Sequence, residues 1–217
     1  MGARIGRPTG VSGSGRRPRW PGADLPGRRL FYAVPIPQPA IDQISDVVSA
    51  IRAEGVPGGG RDVRWVRLEG LHLTLRFLGP TLDDRIEAAT QALRGATEGR
   101  SAFDVSIGGG GTFPPHGRPR ALWLDVRDGE ESLVGLAGEI DRELSHAGWV
   151  LDPKPFRPHL TLARSDGVPA GAAIGARLIE AAEDLDVRFR ADHVGLYESL
   201  TGGGPARYEP LEVVDLS

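Results

Sequence analysis

The 217-residue chain has no cysteine, one methionine, and a single lysine, Lys154, among its 26 basic residues. Without cysteine there can be no disulfide, no thiolate metal site and no cysteine nucleophile. The near-absence of lysine beside abundant arginine reads as codon bias and carries no function. No apolar run is long enough to cross a bilayer, and the N-terminus lacks the apolar core of a secretory signal. No membrane association is expected, and a cytoplasmic location follows by default. A G-x-S-x-G nucleophile elbow is missing, and none of the glycine runs ends in the G-K-[ST] of a phosphate loop. Net charge is only -3, which gives no general attraction to nucleic acid. Residues 1–27 depart from that balance, with five arginines against Asp24.

What is present divides into a short tail and a longer patterned region. Residues 1–27 are rich in Gly, Pro, Ser and Arg, lack apolar periodicity, and read as a disordered basic tail. A domain is expected over 28–217. Leu30 to Pro35 reads as a buried strand. Pro37 to Glu54 reads as a helix, with Ile41, Ile44, Val47, Val48 and Ile51 on one stripe. A Pro/Gly turn, Gly55 to Gly60, ends it. Strands are expected at Asp62 to Val66, His72 to Leu78, Ala102 to Ile107, Ala121 to Val126 and His159 to Ala163. Two more are expected at Leu185 to Leu200, with a break, and at Arg207 to Leu216, separated by the Gly202 to Gly204 turn. Further helices are expected at Asp83 to Glu98, Glu131 to Ala147 and Ala170 to Glu183. The run Gly108 to Gly111 reads as leading into a Pro/Arg loop, Thr112 to Pro119. Helices mixed with short strand-to-strand links give an α+β class with antiparallel neighbours.

One tetrapeptide stands out. His-Leu-Thr-Leu occurs at His72 to Leu75 and again at His159 to Leu162, 87 residues later, and uses two of only five histidines. Strand residues two apart share a face, so His72 and Thr74, and His159 and Thr161, each project together while Leu73, Leu75, Leu160 and Leu162 anchor the other side. If the two strands lie side by side in a cleft, two imidazoles can act as general base and general acid, because one is neutral and the other protonated near neutral pH. The threonine hydroxyls can hold an anionic group between them. A phosphodiester fits. A single histidine on a strand is more often a packed core residue, but a core has no reason to repeat the same polar pair. A zinc site would need three or four ligands, and no closely spaced His, Asp and Glu set accompanies the motifs.

Beyond the repeat, the chain resembles the 2H phosphoesterase superfamily, and within it the RNA 2′,3′-cyclic phosphodiesterase branch (the LigT or ThpR group, also called 2′-5′ RNA ligases). The likeness runs from about residue 28 to 217. It is carried by Arg29-Leu-Phe-Tyr-Ala33, Trp65-Val66, His72-Leu-Thr-Leu-Arg-Phe-Leu-Gly79, Gly111-Thr-Phe-Pro114, Arg118-Pro-Arg-Ala-Leu-Trp-Leu124, Arg157-Pro-His-Leu-Thr-Leu-Ala-Arg164, Leu196-Tyr-Glu-Ser199 and Arg207-Tyr-Glu209. The resemblance implies a bilobal fold, with two antiparallel sheets flanking a central cleft, helices outside, and two pseudo-symmetric lobes. It also implies metal-independent, cofactor-free hydrolysis of a 2′,3′-cyclic phosphate at an RNA 3′ end to a 2′-phosphate and a 3′-hydroxyl. By motif position His72 is the proton donor to the departing 3′-oxygen, His159 the proton acceptor that activates water, and Thr74 and Thr161 hold the non-bridging oxygens.

Other residues have competing readings. The resemblance makes Arg164 a phosphate contact, although five positions after His159 a perfect strand would turn it away from the cleft. Phe77 holds the equivalent place after His72 and reads first as core, with base stacking as the lesser alternative. Phe31 and Tyr32 lie on opposite faces of the first strand, one in the core and the other able to stack a base at the cleft floor. Arg118 meets the RNA backbone or lies in a solvated loop. His146 and His193 have no constellation around them and are assigned to structure. The same site could serve 2′-5′ ligation, a small cyclic-nucleotide substrate, or RNA-end binding without turnover. A monomer is expected.

Overall fold

The computed structural model describes residues 26–55, 63–200 and 206–217. All but the last two residues of the basic tail, the Gly-rich turn after Gly55 and the Gly202 to Gly204 turn lie outside them. The class is α+β: strands β1 (Arg28–Pro35), β2 (Arg64–Trp65), β3 (His72–Thr81), β4 (Phe103–Phe113), β5 (Ala121–Asp128), β6 (His159–Arg164), β7 (Val187–Ala191), β8 (His193–Leu200) and β9 (Arg207–Asp215), with helices α1 (Gln38–Ala53), α2 (Asp83–Thr97), α3 (Glu130–His146) and α4 (Pro169–Ala181).

The strands form two antiparallel sheets. Sheet A has the order β3-β1-β8-β9 and sheet B the order β2-β6-β5-β4-β7. The expected broken strand 185–200 is two strands in two sheets, because the chain crosses from B to A at Asp192. The stretch from Asp62 contributes only the two-residue β2 among the described residues.

Apolar spacing explains the helices. In α1, Ile41, Ile44, Val48 and Ile51 are buried; in α3, Leu133, Leu136, Ile140 and Leu144 are. Asp83 and Asp84 open α2, and Glu130 and Glu131 open α3, where carboxylates favour the positive end of the helix dipole. Helices α2 and α3 pack together against sheet A; α1 and α4 pack together against sheet B. Tyr32 shows how β1 is clamped: it is fully buried on the helix side, and its hydroxyl donates to the Ala89 carbonyl of α2 at 2.9 Å. Among the described residues no helix is long and apolar enough to cross a membrane.

The glycine run was expected to leave the strand for a loop. Instead β4 continues through Gly108 to Gly111 as far as Phe113. The glycines are needed for close approach. A Cβ on Gly110 would sit 2.8 Å from the backbone of Ile179 in α4, and one on Gly111 would sit 2.2 Å from the Trp123 ring on β5.

Candidate active site

Each His-Leu-Thr-Leu copy opens a strand, β3 at His72 and β6 at His159. Leu73, Leu75, Leu160 and Leu162 are buried, while His72, Thr74, His159 and Thr161 are only half-buried. The alternation expected of a strand is therefore present in both copies. The two strands belong to different sheets: β3 is an edge of sheet A and β6 lies in sheet B. They meet where the sheets approach, with backbones within 8 Å, Cα to Cα. The chain itself makes that junction. β2 pairs with the end of β6, Val66 N–H donates to the Leu162 carbonyl at 2.9 Å, and the segment then passes through a 3₁₀ turn at Leu68–Gly70 into β3.

The two imidazoles are held alike. Nδ1 of His72 lies 2.7 Å from the Gly70 carbonyl, and Nδ1 of His159 lies 2.8 Å from the Arg157 carbonyl, each two residues back. A carbonyl only accepts, so Nδ1–H is the donor in both. Among the described residues Nε2 of each ring has no hydrogen-bond partner; it accepts when neutral and donates when protonated. The tetrapeptide does not reveal this match, because both acceptors are backbone groups.

A second match lies in the strand pairing. On β3 the partners step from Tyr32↔Arg76 to Ala33↔Thr74, so Leu75 is an extra residue. On β6 they step from Leu122↔Ala163 to Trp123↔Thr161, so Leu162 is the extra residue. Each copy thus carries a β-bulge at its second leucine. A bulge reverses the side-chain alternation beyond it. The fourth residue after each histidine turns away from the histidine face: Ala163 is buried, and Arg76 forms an ion pair with Asp141 of α3, its Nε donating to Oδ1 at 2.6 Å. The fifth residue returns to the histidine face. The core reading of Phe77 is corrected accordingly. Its side chain is 60% exposed, against the Phe31 ring and on the same side as His72. Arg164 is exposed, and its charge acts both on His159 and on Tyr208 of the opposite sheet.

Phe31 is only 1% exposed, so it cannot stack a base as expected of a cleft-floor ring. It is instead the hub of an aromatic cluster. Its ring centroid lies 4.8 Å from that of His72, 5.7 Å from Phe77, 5.6 Å from Tyr197 and 5.2 Å from Tyr208. The sequence reading missed Tyr208, although it lies in the Arg207-Tyr-Glu209 match. On the other side, Phe113 stands edge-on to His159 at 5.4 Å and stacks on Trp123 at 4.9 Å. Gly111 gives Trp123 its place, so Gly111→Ala should drive the Trp123 ring off β4. A cost of about 1–3 kcal/mol is expected for such overpacking, read as a lower Tm together with altered tryptophan fluorescence.

Burial pushes the pKa of His72 below the ordinary histidine value, opposed by the Gly70 hydrogen bond, which raises it. His159 is also lowered, first by burial and further by the charges of Arg164 and Arg157, against raising effects from the Arg157 carbonyl and Asp125. Both rings therefore favour the neutral form, and among the described residues it is His159 that has arginines beside it holding it so.

Arg118 is exposed in the loop between β4 and β5. That loop is held to the segment after β6 by Ser165 Oγ–H donating to the Pro119 carbonyl at 2.6 Å. Arg118 thus lies toward the Arg164 end of β6, away from His159. His116 is exposed in the same loop, His146 is exposed at the end of α3, and Nδ1 of His193 bonds to Asp192; none of the three joins the pair. Among the described residues, no group of three or more His, Cys, Asp or Glu side chains is placed to hold a metal ion.

A family model described as the 2′-5′ RNA ligase superfamily matches residues 36–203, which contain both histidine strands. The chain belongs to that superfamily. Among its curated relatives is the protein named RNA 2′,3′-cyclic phosphodiesterase from Thermotoga maritima, 30% identical across 82% of this chain and 90% of that protein. The protein of the same name from Methanothermobacter thermautotrophicus is 30% identical across 87% of this chain and 98% of its own. Among solved structures, Escherichia coli LigT complexed with 3′-AMP superposes with a TM-score of 0.66, at 26% identity over 88% of this chain and 98% of LigT. The α+β arrangement of two antiparallel sheets is therefore that of the LigT-type members of the superfamily.

Proposed function

We propose that this chain is an RNA 2′,3′-cyclic phosphodiesterase, with residues 28–217 as the catalytic domain and His72, His159, Thr74 and Thr161 as its catalytic residues. The observation that carries the reading is the pair of identically held imidazoles. On neighbouring strands of the two sheets, each spends Nδ1–H on its own backbone and, among the described residues, has no partner at Nε2. In the proposed step, neutral His159 Nε2 takes a proton from water as the water oxygen bonds to phosphorus. The bond from phosphorus to the ribose 3′-oxygen breaks, and that oxygen takes the proton of His72 Nε2. The products are a 2′-phosphomonoester and a 3′-hydroxyl. His72 ends neutral and His159 protonated, and exchange with solvent restores both.

The role assignment follows the family resemblance and is supported by the electrostatics: Arg164 and Arg157 favour the neutral base at His159. The Thr74 and Thr161 hydroxyls donate to the non-bridging oxygens, and Arg164 neutralises the charge that grows on them. Phe77 offers an exposed ring on which the terminal base stacks, while Arg118 meets the RNA backbone beyond the cyclic end. The scheme needs no metal or cofactor, since imidazoles move the protons and an arginine balances the charge.

Protonation of the base sets the acid limb of the pH–rate profile, and loss of the acid's proton sets the alkaline limb. Both pKa values are lowered, so kcat/KM, which reports the free enzyme, should peak below the ordinary histidine pKa of about 6.5. A bound diester anion favours the charged form of His72, so the alkaline limb of kcat should lie at higher pH than that of kcat/KM. An optimum of kcat/KM above pH 8 would contradict these assignments.

The direct test is incubation with an oligoribonucleotide ending in a 2′,3′-cyclic phosphate, followed by identification of the terminal phosphate. A 2′-phosphate is expected; a 3′-phosphate, or binding without turnover, would refute the proposal. The superfamily name also points to 2′-5′ ligation. In that reaction an RNA 5′-hydroxyl takes the place of water at the cyclic phosphate, with His159 taking its proton and His72 protonating the departing 3′-oxygen as before, so dilute aqueous solution favours hydrolysis.

A further inference from the structure

We infer that Tyr208 is a positioning residue for His72, an inference that rests on the catalytic role proposed for that histidine. The two residues are 136 positions apart and sit on strands at opposite edges of sheet A, which has the order β3-β1-β8-β9. Flat, that separation is three strand spacings, roughly 14 Å. The sheet curls around Phe31, and the rings of Tyr208 and His72 meet at 4.8 Å, nearly perpendicular at 83°.

Tyr208 reaches both ends of the hydrogen bond that orients His72. Its ring walls one side of the imidazole, and it also covers Gly70, whose carbonyl accepts from His72 Nδ1. A Cβ on Gly70 would lie 3.0 Å from Tyr208 Cδ2 and 3.3 Å from Cε2. One aromatic ring therefore confines the acceptor peptide and the donor ring together, with Phe31 closing the remaining side at 5.2 Å from Tyr208 and 4.8 Å from His72. Held this way, Nδ1–H cannot leave its carbonyl by ring rotation, and Nε2 stays directed at the cleft. The other half-site has the same device in a different residue, since Phe113 stands at 82° to His159. Phe113 has no hydroxyl, so the common element is the ring. The role assigned to Tyr208 is accordingly the ring wall.

The inference predicts different fates for two substitutions. Tyr208→Phe keeps the wall and should leave kcat within about threefold of the parent. Tyr208→Leu removes it and should lower kcat tenfold or more, with KM changed less than kcat, because substrate still binds while the acid is misaimed. A readout that needs no substrate separates this from the proposed function. Nitrogen-15 NMR of the imidazoles should show His72 as the Nδ1–H tautomer in the parent and in Tyr208→Phe. In Tyr208→Leu it should be a tautomer mixture with a displaced titration, while His159 is unmoved. Gly70→Ala supplies the complementary cycle: it should disturb His72 in the parent, where the new methyl meets the tyrosine ring, and much less in Tyr208→Leu. An unchanged His72 spectrum in Tyr208→Leu would overturn the inference. So would a Tyr208→Phe variant as impaired as Tyr208→Leu, which would make the hydroxyl the working group. If the parent failed to hydrolyse a cyclic phosphate but these spectra behaved as described, the proposed function would fall and the positioning contact would stand.

Discussion

His159→Ala should lower turnover of a 2′,3′-cyclic phosphate by about 10²–10⁴-fold, the usual contribution of a positioned general base, with thermal unfolding little changed. The imidazole is half-buried and, among the described residues, bonds only to a backbone carbonyl of its own strand entry, so its removal leaves Leu160 and Leu162 anchored beneath it. His72→Ala should cost a similar factor on the same cyclic phosphate. The two variants should part on a diester whose leaving group is a nitrophenolate, which departs without a proton. There the loss in His72→Ala should shrink by an order of magnitude or more, while that in His159→Ala persists, because water must still be activated. Equal losses on both substrates would remove the assignment of His72 as acid. The double variant should be hardly worse than the worse single one, since groups acting in one step are not additive. Full activity in either single variant would sink the two-histidine mechanism.

Arg164→Met is expected to have the next largest effect. A hydrogen bond from a guanidinium to a charged oxygen contributes about 1.5–3 kcal/mol, so kcat/KM should fall roughly 10- to 100-fold at 1.4 kcal/mol per factor of ten. The same change should carry a second signature. The Arg164 charge lowers the His159 pKa, so its removal raises that pKa, and the acid limb of the pH–rate profile should move to higher pH. Arg164→Lys separates the two effects. It keeps the charge and so keeps the acid limb in place, but loses the two-pronged geometry that matches a phosphate. If Arg164→Met changes neither the rate nor the limb, the phosphate contact is refuted.

Whatever depends on short-range order could be read from the residues alone. Period-two alternation placed each histidine and threonine on one face and both leucines in the core, because strand geometry repeats every two residues whatever it pairs with. The stripe Ile41, Ile44, Val48 and Ile51 defined α1 in the same local way. The flanking residues sufficed to indicate the superfamily. Phe77 and Arg164 were illegible because their facing is set by the bulges at Leu75 and Leu162, and a bulge belongs to a pair of strands, not to one. The glycine run at 108–111 looked like a loop because its purpose, room for the backbone of α4 and the ring of Trp123, lies in distant segments. The partnership of Tyr208 with His72 needed a four-stranded sheet to curl until its edges met. The pattern of the two half-sites, with arginines near His159, was thus written locally, while the facing of Phe77 and Arg164 and the ring beside His72 came from strand pairing and sheet curvature, which act across the whole chain.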